Sequence, residues 1–168
     1  MKNKIKELTQ ISQIIETQRL KGKKIGFISG CFDILHIGHV KLFEFAKSKI
    51  DILIIGVDDD FSIMQSKGKN RPIHSQNLRM ELLSYLNITD YIFPVSINNK
   101  YGSKEIDSFW FNLLKIVKPD VLITSSKADS FSDKKKEICS KLKIKFIKWN
   151  KKLDVSSTKI EKLYIDTV

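Results

Sequence analysis

Apolar and polar positions along the chain alternate between two periods. Ile5, Leu8, Ile11, Ile14 and Ile15 recur at helical spacing, which predicts an N-terminal helix over 4–20; Lys21-Gly22-Lys23 ends it before the apolar run Ile25 to Ile28. Val40, Leu42, Phe43, Phe45 and Ala46 return to the helical period. Asp51 to Val57, DILIIGV, is then a continuous apolar run of the kind found in strands buried on both faces. Residues 58–74 are polar, contain glycine and proline, and read as a loop. Beyond them the pattern predicts a helix from Leu78 to Leu86, a strand from Tyr91 to Val95, a helix from Lys104 to Val117 stopped by Pro119, and a strand from Val121 to Thr124. A helix over 132–142, a strand over 145–149 and a final helix after Ser156 complete the order.

Strands alternating with helices at this spacing specify an α/β fold: a Rossmann-like parallel sheet of about five strands with helices on both faces and right-handed crossovers. No internal repeat, low-complexity tract or linker interrupts the pattern, so residues 1–168 read as a single domain. Ligands of such sheets sit beyond the carboxyl ends of the strands, near the switch in strand order. The stretch GCFDILHIGHVKLF, residues 30–43, begins at the end of the first strand of the alternation. A nucleotide is expected there.

Composition narrows the class. A chain of 168 residues removes roughly 70% of its unfolded surface from water and needs no covalent staple. Cys31 and Cys139 are too few for a disulfide framework and read as free thiols of a reducing cytoplasm. The N-terminus is charged without an apolar core, and the apolar run Ile52 to Val57 falls far short of a membrane span, so a cytoplasmic protein without a membrane partner is expected. The net charge of +11 comes mainly from scattered lysines. With neither an arginine-rich block nor an aromatic stacking strand, that charge does not by itself point to nucleic acid.

The chemistry concentrates in three segments. His36 and His39 are three apart at the start of a helix, where unpaired backbone N–H groups and the helix dipole favour a phosphate, and Gly38 between them admits a ligand close to the backbone. A zinc site from Cys31, His36 and His39 would lack a fourth ligand nearby. No metal ligands are therefore assigned. Ser156, Ser157 and Thr158 open the last helix, and Ser66-Lys67-Gly68-Lys69-Asn70-Arg71-Pro72 is a loop with three cations around a glycine. Each alone reads as a helix cap or a solvated turn; together they place three phosphate-friendly elements at one end of the sheet.

Gly30, Phe32, Asp33, His36, Gly38 and His39 spell G-x-F-D-x-x-H-x-G-H, and K-G-x-x-R-P at 67–72, L-R-M at 78–80, T-D-Y-I-F-P at 89–94, P-D-V-L at 119–122 and S-S-T-K-I at 156–160 follow in order. In these motifs the chain resembles the cytidylyltransferase-like branch of the nucleotidyltransferases. It is most similar to the adenylyltransferase domains of ADP-heptose synthesis, then to the glycerol-3-phosphate cytidylyltransferases. The resemblance implies an enzyme that transfers an NMP group from CTP or ATP to a phosphorylated small molecule, releasing pyrophosphate, for surface polysaccharide or lipid precursors. Mg²⁺ would be held mainly by the triphosphate. By the same resemblance His36, His39, Lys67 and Arg79 are candidate catalytic residues. Gly30, Cys31, Phe32, Asp33, Gly38, Ser156, Ser157 and Thr158 are candidates for binding the nucleotide. A homodimer is expected. H-I-G-H is also the signature of class I aminoacyl-tRNA synthetases, but a chain of this length has no evident room for a tRNA-binding domain.

One segment departs from the family. After P-D-V-L the heptose enzymes carry V-K-G-G-D-Y and the glycerol-phosphate enzymes V-M-G-D-D-W, whereas this chain reads Ile123-Thr124-Ser125-Ser126-Lys127-Ala128. The segment lies on the acceptor side of the family's site, so the acceptor is expected to differ. Lys127 and Lys151 are assigned to it, as cations that suit an anionic phosphate ester other than heptose 1-phosphate. The K-G-x-x-R-P loop favours ATP and the altered segment favours CTP; the base stays open. The alternative is a non-catalytic nucleotide-binding or regulatory domain of the same fold.

Overall fold

The computed structural model describes residues 3–97, 104–125, 129, 131–151 and 155–160. Strands β1 (Ile25–Gly30), β2 (Ile52–Asp58), β3 (Tyr91–Val95), β4 (Val121–Ser125) and β5 (Lys145–Trp149) form one all-parallel sheet in the order β3-β2-β1-β4-β5. The order reverses between β1 and β4. Helices α1 (Leu8–Leu20), α2 (Ile37–Lys47), α3 (Asp60–Lys67), α4 (Gln76–Ser84), α5 (Lys104–Val117) and α6 (Ser132–Leu142) alternate with the strands.

The period-2 geometry of the strands builds two cores. Ile25, Phe27 and Ile54 face the layer of α1, α5 and α6, where Ile11, Ile15, Trp110, Leu114 and Ile138 are buried. Ile28, Leu53, Ile55 and Val57 face the other layer, with Phe43 and Ala46 of α2 and Met80 and Leu83 of α4. The uninterrupted apolar run of β2 thus supplies both faces.

α4 lies two residues before its predicted span of Leu78 to Leu86, and two stretches differ further from the reading of the sequence. The first helix starts at Leu8 rather than residue 4, because residues 4–6 extend the sheet edge: Ile5 bridges Ile92, Lys6 donates to the Ile92 carbonyl and Ile92 donates to that of Lys4. Residues 58–74 are not all loop. Asp59 caps α3 by accepting the Ser62 amide at 2.8 Å, and the helix hides only Ser62 and Ile63, too little apolar surface to show as periodicity. A helical turn does begin after Ser156, over 157–160. Among the described residues no helix is long and apolar enough to cross a membrane.

Candidate active site

A cleft of about 590 Å³ opens at the carboxyl ends of the strands, where the strand order reverses. Gly30, Cys31 and Phe32 line it from the end of β1, His36, Gly38 and His39 from the start of α2, and Ser66 and Lys67 from the end of α3. Thr124 and Ser125 enter from β4, and Lys151, Ser156, Ser157 and Thr158 from beyond β5. The three segments singled out in the sequence therefore meet in one place.

The first turn of α2 fixes both imidazoles. His36 is the N-cap, and its Nδ1 accepts the Gly38 amide at 3.1 Å; the Nδ1 of His39 accepts the His36 amide at 3.4 Å. Histidines here take the parts that serine and glutamate play in a capping box. A ring nitrogen that accepts an N–H carries no proton, so each ring holds its proton on Nε2, on the edge away from the backbone. Burial, with help from the Lys67 charge, lowers the pKa of His36. Burial, His36 and Lys67 together push His39 down to about 3. Both rings are neutral at pH 7, and they stack at 3.9 Å between centroids with 27° between planes.

Gly38 is required by that geometry. A Cβ at this position would meet Cε1 and Nδ1 of His36 at 2.8 Å and would stand 3.7 Å from Val155, which also places the 155–158 segment against the start of α2. Phe32 occupies the left-handed region, φ 49°, an uncommon conformation for an aromatic residue, in the turn from β1 toward α2. Its ring packs on Phe43 at 5.6 Å and meets His39 edge-on at 5.3 Å. Phe32 braces His39. Burial raises the Cys31 pKa despite nearby Lys67 and Arg79, so the group lining the cleft there is a thiol.

Asp33, expected to bind the nucleotide, and Arg79, expected among the catalytic residues, do not line the cleft. Both are buried and hold its walls together. The Asp33 carboxylate accepts the Ile73 and His74 amides at 3.0 and 2.9 Å and pairs with Arg71 at 2.7 Å. Burial alone would raise its pKa; those amides and the charges of Arg71 and Arg79 outweigh it and lower the pKa. The guanidinium of Arg79 donates to the carbonyls of Cys31, Asp58 and His74 and pairs with Asp60 at 2.6 Å. It thereby ties the ends of β1 and β2 to the loop after α3.

One group on the wall was missed in the sequence. Asp129 pairs with Lys135 at 2.9 Å, accepts the Thr124 hydroxyl at 2.7 Å, and is held as a carboxylate by these partners against the cost of burial. Lys135 sits inside a run of lysines, which hid it; its spacing from the buried Ile138 and Cys139 is the signal that it faces inward. Lys151 lines the cleft as expected, whereas Lys127 lies outside the described residues.

Residues 27–163 match the cytidylyltransferase-like family. Among curated proteins, the chain is 35% identical over 140 residues to the bifunctional protein HldE of Sulfurimonas denitrificans, covering 83% of this chain and 27% of that protein. It is 42% identical over 116 residues to HldE of Pseudomonas putida, covering 69% and 22%. The chain thus spans about a quarter of the length of these relatives. Among solved structures, a lipopolysaccharide core biosynthesis protein from Thermoplasma volcanium superposes with a TM-score of 0.61 at 24% identity, over 79% of this chain and 100% of that one. A pantoate-beta-alanine ligase from Francisella tularensis gives 0.60 at 20% identity, over 96% and 77%. These likenesses carry the fold. With the G-x-F-D-x-x-H-x-G-H turn at the end of β1 and a family match that spans the sheet, the chain belongs to the cytidylyltransferase-like family.

Proposed function

We propose that this chain is a nucleotidyltransferase that moves an NMP group from CTP or ATP to a phosphorylated small molecule, releasing pyrophosphate, in the making of a surface polysaccharide or lipid precursor. The observation that carries the reading is the pair of neutral, stacked imidazoles at the start of α2, each with Nδ1 taken by backbone and Nε2–H left to donate. Polyphosphate oxygens are the natural acceptors for two such donors at a helix N-terminus. Lys67 and the hydroxyls of Ser156, Ser157 and Thr158 line the same cleft and supply charge and donors for the leaving phosphates.

In this reading an oxygen of the acceptor's phosphate attacks the α-phosphorus of the nucleotide in line. The bond from that phosphorus to the bridging oxygen breaks, and pyrophosphate leaves with the electron pair. No protein nucleophile is needed; positioning and charge neutralisation carry the rate. Neutral imidazoles suit this role, since they donate to growing negative charge without losing a proton to it. Mg²⁺ is assigned to the triphosphate, an ion that keeps several waters and binds through substrate phosphates. Asp33 and Arg79 are positioning residues, since neither touches the cleft. Lys151 is assigned to the acceptor's anion, and the acceptor to an anionic phosphate ester other than heptose 1-phosphate. Pyrophosphate release from CTP and ATP, measured with Mg²⁺ across a panel of phosphate esters, tests the proposal; release that requires both substrates supports it, and no release with any pair overturns it.

A further inference from the structure

Lys67, Lys69 and Arg71 read in the sequence as three cations around a glycine, but of the three only Lys67 lines the cleft. Lys69 is exposed outside it. Arg71 is 5% exposed, and its guanidinium is turned onto the buried carboxylate of Asp33 at 2.7 Å. The same carboxylate accepts the Ile73 and His74 amides, and the Asp33 carbonyl lies 3.0 Å from Nδ1 of the His74 ring. Asp33 sits between the end of β1 and His36, so residues 71–74 are bolted to the turn that leads to the histidines.

The two phosphate elements joined in this way are not held equally well. His36 and His39 are fixed by their own capping bonds, and the Phe32 ring packs between His39 and Phe43. Lys67 is the last residue of α3, a helix that buries only Ser62 and Ile63 and ends at Gly68, φ 102°, where glycine leaves the backbone free to turn. Only Gly68, Lys69 and Asn70 separate Lys67 from Arg71, whose amide donates to the Gly68 carbonyl at 3.1 Å and closes the turn. A lysine is a point charge on a flexible stem, so its place depends on where its backbone is tied. The charge of Lys67 is felt at both imidazoles, whose protonation it opposes. Desolvation offsets much of the attraction in a buried ion pair, so stability alone does not account for the one between Arg71 and Asp33.

Resting on the reading of the cleft as a nucleoside triphosphate site, we infer that Arg71 is a positioning residue: its pair with Asp33 holds Lys67 beside the histidines, and Arg71 itself does not touch the nucleotide. The segment then delivers one cation to the phosphates and spends another on keeping the first in place.

A double-mutant cycle tests this. Affinities of the folded protein for ATP and CTP are measured by calorimetry with Mg²⁺ for the unmodified chain, Lys67→Met, Arg71→Met and the two together. Each single variant should lose about tenfold or more in affinity for the preferred nucleotide, the order expected for one charged hydrogen bond. The double variant should bind within about twofold of Lys67→Met, because Arg71 has nothing left to position. A pair that only stabilised the fold, or an Arg71 that met the phosphates itself, would lower affinity by the same factor whether or not Lys67 is present; such multiplied losses would overturn the inference. Unchanged affinity in Arg71→Met would overturn it too, as would unchanged affinity in Lys67→Met. Should Arg71→Met fail to fold, Asp33→Asn runs the same cycle from the other side of the pair, since it keeps an oxygen for the two amides and gives up the charge that Arg71 meets. Failure of the unmodified chain to bind either nucleotide would overturn the reading of the cleft itself.

Discussion

The Nδ1 of His39 accepts the backbone N–H of His36, while the two rings stack at 3.9 Å. One imidazole of the pair is therefore held by the backbone of the other. Tautomer and ring orientation follow from one turn of helix, and burial keeps the rings unprotonated.

Nitrogen-detected NMR of the unliganded protein at pH 8 should show both imidazoles neutral, with the proton on Nε2, and His39 should stay neutral at pH 6. The same shifts set a pH dependence of stability. A histidine whose pKa is lowered in the folded state binds its proton more readily when unfolded, so stability is present above the ordinary value near 6.5 and is lost as pH falls toward the His39 value of about 3. Within that window His39 contributes a slope of up to about 1.4 kcal/mol per pH unit. Melting temperature against pH should flatten there in His39→Gln; an identical slope in the variant would contradict the assignment.

His36→Ala and His39→Ala should each lower turnover by ~10²–10³, the usual loss when one donor to developing charge is removed. Circular dichroism should show the fold retained. Normal activity in either variant would remove the histidines from the mechanism.

Gly38→Ala is expected to match the His36 variant in activity, although it deletes no polar group. The added Cβ would stand 2.8 Å from the His36 ring, and the ring must leave its place over the helix start. Steady-state kinetics with a crystal structure of the variant would check this; full activity with an unmoved ring would contradict it.

Arg79→Met should act on stability first. It leaves the carbonyls of Cys31, Asp58 and His74 without their donor in a buried place, a loss of at least ~3 kcal/mol when several such groups go unsatisfied together. Urea denaturation measures it. A loss below 1 kcal/mol, on the order of an ordinary surface change, would mean that the guanidinium does not tie the strand ends together.

Much of this was legible in the sequence, for identifiable reasons. The apolar run of β2 and the helical period of α5 each carry enough hydrophobic residues to declare their periods, and the alternation implies a parallel sheet but not its order β3-β2-β1-β4-β5. α3 carries only one buried apolar residue, Ile63, so its period could not show. For the site, His36 and His39 could be paired from the sequence because they share one turn of helix, whereas Lys67 was placed by its own motif and meets them from the end of α3. The roles of Asp33 and Arg79 could not, since burial is set by partners 40 and 48 residues away: Ile73 for Asp33, Cys31 for Arg79. Lys135 was hidden for the same reason, its partner Ser29 lying 106 residues away.

For the acceptor, Lys151→Ala should raise KM or lower kcat with the phosphate ester while nucleotide affinity stays within a few-fold, because only one substrate loses a partner. An unchanged acceptor KM and kcat would return Lys151 to the solvated surface.

The central claim is attack at the α-phosphorus, and phosphorus NMR of the reaction mixture addresses it directly. With nucleotide, Mg²⁺ and a productive phosphate ester, the account predicts a new pair of coupled diphosphate-diester signals and pyrophosphate, appearing together in equal amounts and only when all components are present. Nucleoside diphosphate with orthophosphate or a doubly phosphorylated acceptor would place the reaction at the γ-phosphorus and contradict it.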